Sequence, residues 1–113
     1  MNILEKQVLF LKYFRILELY AESQGYVLVT GMHWRSYEES ARLKASGDGI
    51  DPSCHNYCLA AHVEGFLNGE YLGDIDCGYQ HLGIFWERLD PLCRWGGRHG
   101  DGCHFSMAHG GMR

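Results

Sequence analysis

With 113 residues and 46% apolar side chains, the chain has material for one hydrophobic core and is expected to form a single domain over 1–113. A net charge of −4 excludes a dedicated nucleic-acid binder, which would carry a basic face. The first apolar run, Val8 to Leu11, is cut short by Lys12, Arg15 and Glu18, so it forms neither a membrane span nor the apolar core of an export signal. The expectation is a protein without membrane insertion, made and first held in the cytoplasm.

In chain order, Asn2 to about Ser23 carries a helical pattern. Ile3, Phe10, Phe14, Leu17 and Ala21 share one stripe, with Lys12, Arg15, Glu18 and Glu22 on the other side. Gly25 is placed to stop it. Tyr26 to Thr30, rich in aromatic and β-branched residues, predicts a strand. Ser36 with Glu39 forms the signature of a capping box for a helix from Tyr37 to about Ala45, which sets Arg35 at a strand-to-helix junction facing a cleft. The stretch from Ser46 to Pro52 is loop by composition. Cys58 to Phe66 and Glu70 to Leu72 predict two strands joined at Asn68-Gly69, and Tyr79 to Leu89 predicts a helix that Asp90-Pro91 ends. From Leu92 onward the chain is Gly-rich, with a short strand at Cys103 to Ser106.

Chemistry concentrates in two segments. His55 follows a turn-forming stretch, and His62 falls inside the expected strand; Asp101 and His104 lie together in a Gly-flanked segment. Residues seven apart on a regular strand point to opposite faces, so His55 and His62 can reach one ion only if His55 lies off the strand. Three imidazoles with a nearby carboxylate suit a catalytic zinc ion, whose bound water needs an acceptor for its proton. Arg35 offers a permanent charge and a planar donor array for an oxyanion. His33, His81, His99 and His109 read as surface or supporting residues, with His99 a spare ligand or proton carrier. Trp34, Trp86 and Trp95 read as core or cleft wall. Five cysteines, an odd number, suggest free thiols, while Cys54 and Cys58 beside His55 leave open a mixed Cys/His structural zinc module.

These motifs resemble the zinc peptidases of bacterial cell walls, which include D-alanyl-D-alanine carboxypeptidases and dipeptidases and the L-alanyl-D-glutamate endopeptidases of phage endolysins. Ser53, His55, Ala60 and His62 fall on the family's first motif, and Asp101-Gly102-Cys103-His104 with Phe105 on its second. Trp34-Arg35-Ser36 resembles its Arg motif and Trp95-Gly96-Gly97 a run in the endopeptidase branch. The resemblance implies an α+β domain of the D-Ala-D-Ala-peptidase (hedgehog-like) type, a small antiparallel sheet with about three helices. It implies Zn2+ held by His55, His62 and His104, with Asp101 as general base and Arg35 stabilising the oxyanion. The implied substrate is the peptidoglycan stem peptide, cut at the L-Ala–D-Glu bond, with release to the periplasm or cell wall through a holin, or a place on a virion. His62 departs from the family, which has Asp there. That departure also admits a catalytically impaired relative that binds the cell wall or builds phage structure. Cys58 stands where the family often has Gly, a difference expected to affect packing.

Overall fold

The computed structural model describes residues 1–31, 34–47, 53–73 and 76–112. His33 and most of the expected 46–52 loop fall outside the described residues. Among the described residues, three α-helices and a five-stranded antiparallel sheet make the fold α+β, as the pattern predicts. Helix α1 runs Ile3–Ser23, opened by a capping box in which Asn2 Oδ1 accepts from Glu5 N at 2.8 Å. Strand β1 is Tyr26–Thr30, and helix α2 is Tyr37–Ser46. At the start of α2, Ser36 Oγ accepts from Glu39 N at 3.0 Å, but the Glu39 carboxylate pairs with Arg42, so only half of the predicted box forms. Strand β2 is Ala60–Leu67, β3 is Glu70–Tyr71, and α3 is Asp76–Leu89.

Helix α3 starts three residues earlier than its local pattern suggests and includes Gly78. The Gly78 carbonyl is held by Tyr26 Oη at 2.7 Å, a tertiary contact invisible to periodicity. Strand β4, Cys93–Trp95, was not expected; it is too short to show a period and forms because each residue has a partner on β5, His104–Met107. The sheet order is β1-β2-β5-β4, with β3 paired to β2. Among the described residues no helix is long and apolar enough to cross a membrane.

Helices α1 and α3 pack on one face of the sheet. Phe10 and Phe14 of α1 lie with Trp86 of α3, which meets Phe105 of β5 edge-on at 6.1 Å, while Tyr79 Oη accepts from Gly65 N of β2 at 2.9 Å. Tyr79 is fully buried, and burial pushes its phenol pKa up to about 12. Ala61, Val63 and Phe105 point into this core. Because strand side chains alternate, their neighbours His62 and His104 point to the opposite face. The core thus fixes the register of the strands that present the two histidines.

Candidate metal centre

His62 and His104 are direct cross-strand partners in the β2–β5 ladder. Such a pair holds Cβ atoms about 4.5–5.5 Å apart on one face, so the rings meet without any loop having to fold over. His55 arrives differently. It sits in a 3-10 turn, Cys54–Tyr57, just ahead of β2, and so satisfies the condition that it lie off the regular strand. Ser53 Oγ accepts from His55 N at 3.2 Å, so this serine caps the turn that carries His55.

The three rings converge like blades. Centroid distances are 4.9 Å for His55–His62, 5.1 Å for His55–His104 and 4.9 Å for His62–His104, with interplanar angles of 77°, 70° and 74°. One ligand atom from each lies within 4.8 Å of the others. With zinc–nitrogen bonds of about 2.0–2.1 Å, two ligands of one ion sit about 3.4 Å apart in a tetrahedron. Small side-chain rotations therefore close the set. His104 Nδ1 is buried without a hydrogen-bond partner, and its nearest carboxylate oxygen, Asp101 Oδ2, is 4.0 Å away. A buried polar atom normally has a partner, and a cation among the three rings would supply one. Burial, helped by the neighbouring His62 and Arg35 charges, lowers the His104 pKa to about 4, so this imidazole is neutral, the form that binds metal. The residues fit a divalent cation.

Asp101 joins the cluster through Oδ2, 3.1 Å from His62 Nε2, while its Oδ1 accepts from Cys103 Sγ at 3.4 Å. The His62 hydrogen bond lowers its pKa to about 2 against the opposing effect of burial, so it is ionised at neutral pH. His62, Asp101 and Cys103 form a second group with metal-binding spacing that shares only His62 with the three-histidine group. Arg35 is buried, and its backbone N donates to His55 O at 3.1 Å. Burial lowers its pKa, while the charges of Glu39 and Asp101 pull the other way; its charge in turn acts on His104. All five residues singled out in the sequence therefore gather at one place.

Other assignments need correction. Cys54 is buried against Met107 O, and burial raises its pKa to about 11; Cys58 is exposed, and neither belongs to a metal-holding group among the described residues. The Cys54/Cys58 zinc module is thereby ruled out of the described geometry. Cys58 has φ +56° as the residue that ends the 3-10 turn, a left-handed conformation that strains a residue with a side chain. His81 and His99, by contrast, are exposed as expected of surface residues and lie outside both metal-holding groups, and His109 contacts Lys6 Nζ at 3.1 Å and the Tyr57 ring.

Three supports were not read from the sequence. Asn56 is buried and fully engaged: Oδ1 accepts from Ser53 N at 2.9 Å, and Nδ2 donates to Arg35 O at 2.8 Å, Ser36 O at 3.2 Å and Ser40 Oγ at 2.9 Å. This one amide ties the His55 turn to the start of α2 and so sets Arg35 beside the imidazoles; the Ser53-to-Asn56 spacing, a capping box, is the signal that could have found it. Trp95, read as core, also donates from Nε1 to Gly102 O at 2.8 Å and anchors the Asp101 segment. Glu87 of α3 accepts from Trp95 N at 3.2 Å and Arg98 Nε at 2.7 Å, and holds the same turn from below. A Cβ on Gly96 would lie 2.4 Å from Asp101 O and 2.7 Å from His104 Cβ, and one on Gly31 would lie 2.6 Å from His62 O. Both glycines are there because the ligand strands approach too closely for a side chain.

No protein-family model matches this chain, and no curated protein matches it.

Proposed function

We propose that the protein is a zinc-dependent peptidase of the D-Ala-D-Ala-peptidase type that cleaves the peptidoglycan stem peptide, at its L-Ala–D-Glu bond. The single observation that supports this most is the meeting of His55, His62 and His104, with the Asp101 carboxylate on His62 and the buried Arg35 charge acting on His104, on the sheet face opposite the α1–α3 core. His55, His62 and His104 would hold zinc, which supplies Lewis acidity and brings a bound water's pKa to about 7. Asp101, ionised at neutral pH, accepts a proton from the attacking water and returns it to the leaving amine. The Arg35 guanidinium donates hydrogen bonds to the oxyanion as the carbonyl becomes tetrahedral. A role in phage lysis, with a holin for passage to the wall, or on a virion, belongs to this proposal.

The test is purified peptidoglycan incubated with the protein at saturating zinc, followed by mass spectrometry. A new amino terminus at D-Glu, lost in Asp101→Ala at the same zinc saturation, supports the reading. Intact stem peptides with the unaltered protein reject it. One observation favours a second reading, a relative that binds cell-wall peptide without cutting it: the Asp101 oxygen needed as base is engaged with His62 at 3.1 Å. Retention on insoluble peptidoglycan without cleavage is the outcome that reading requires.

A further inference from the structure

The geometry points to Asp101 as a fourth metal ligand, so that the resting centre is a closed set of three imidazoles and one carboxylate. This rests on the metal-centre reading above and goes beyond it, since a carboxylate acting only as base would leave the fourth position to water. Three features support it. Asp101 Oδ2 lies 3.1 Å from His62 Nε2 and 4.0 Å from His104 Nδ1, close to the separation of about 3.4 Å between neighbouring ligands of a tetrahedral zinc ion. Its rotation is set from the other side, because Oδ1 accepts from the Cys103 thiol at 3.4 Å, leaving Oδ2 to face the rings. Charge points the same way. Three neutral imidazoles leave a dication uncompensated, the nearby Arg35 adds positive charge, and Asp101, grouped with His62 and Cys103 beside the three-histidine set, is the only carboxylate in either metal-holding group among the described residues.

The consequence is a latent centre. With Oδ2 coordinated, zinc would need a fifth position or release of Oδ2 to take up water, and an Oδ2 so released would be the acceptor for that water's proton. The Cys103 thiol would hold Oδ1 in place in either arrangement. Cys103 is thus a positioning residue and not a ligand.

The test measures zinc affinity by competition with a chromophoric chelator for the unaltered protein, Asp101→Ala, Asp101→Asn and His104→Ala, with far-ultraviolet circular dichroism to confirm folding. As a ligand, Asp101 should cost more than about 100-fold in affinity when replaced by Ala, above the ~10–100-fold range of groups that only buttress a ligand. Asp101→Asn, which keeps the shape, should also weaken binding. An Asp101→Ala affinity within tenfold of the unaltered protein overturns the closed set while leaving the three-histidine site standing. Failure of the unaltered protein to bind zinc overturns the metal centre itself, so the two failures are distinct. A crystal structure of the zinc-loaded protein decides independently: Oδ2 at about 2.0–2.2 Å from the ion supports the closed set, and a water there with Oδ2 in outer contact overturns it. In the cobalt-substituted protein, an intense near-ultraviolet thiolate band would make Cys103 a ligand and overturn its positioning role.

Discussion

Replacing Gly96 with Ala probes the candidate centre without touching any of its functional groups. The added Cβ would lie 2.4 Å from Asp101 O, 2.7 Å from His104 Cβ and 3.2 Å from His104 Cδ2. Carbon and carbonyl oxygen rest at a little over 3 Å, so the backbone at Asp101 must retreat by most of an ångström. That retreat is resisted, because Asp101 N donates to Gly96 O at 2.9 Å and Trp95 Nε1 anchors Gly102 O at 2.8 Å. Overpacking of this size costs about 1–3 kcal/mol. At about 2 kcal/mol, a chain of this length should melt roughly 8–16 °C lower. Zinc affinity should fall as well, because His104 and Asp101 move together away from His62. The assays are thermal melting by circular dichroism in chelator-treated protein and zinc competition with a chromophoric chelator. Gly100→Ala is the control: its Cβ has open space, but φ is +81°, so it should cost about 1 kcal/mol of backbone strain and leave zinc affinity unchanged. A Gly96→Ala protein that melts and binds zinc like its parent would refute the close-approach argument.

Three further outcomes are expected. In chelator-treated protein, His104 has a pKa of about 4 against 6.5 when unfolded, so the unfolded chain binds the extra proton first; stability is fully present above about pH 6.5 and drops by about 3 kcal/mol as pH falls to about 4. Urea unfolding across that range checks this, and His104→Gln should flatten the slope. Asp101, depressed from 3.8 to about 2, adds a smaller loss below that window, reduced because its side chain is 44% exposed. Asn56→Ala breaks four hydrogen bonds around buried groups and should cost about 2–4 kcal/mol in urea unfolding, with weaker zinc binding because the His55 turn loses its tie to α2. Cys58→Gly relieves a left-handed residue at φ +56° and should raise stability by up to about 1 kcal/mol; a loss of stability would show that the thiol is needed.

Much of this architecture was legible from local pattern. The apolar stripe of α1, the β-branched run of β1 and the Asn68-Gly69 turn each carry their signal within a few residues, and each element forms where that signal lies. His55, His62, Asp101, His104 and Arg35 were identifiable because their residue types are chemically distinctive. What failed locally was what depends on partners. Strand β4 exists through its pairing with β5, α3 extends through Gly78 because Tyr26 holds that carbonyl, and the Glu39 half of the α2 cap was taken by Arg42.

Sequence by itself determined the α+β class, the helices and the inventory of imidazoles and carboxylate, because helix and strand periods and ligand chemistry reside in the side chains themselves. Only the tertiary structure decided that the inventory gathers into a cluster able to hold a metal. The register that sets His62 opposite His104 depends on pairing between strands about 40 residues apart in the chain, and the turn that brings in His55 depends on Asn56 reaching across to Arg35 and Ser40. Such contacts are fixed by packing of the whole core, which no short stretch of chain encodes.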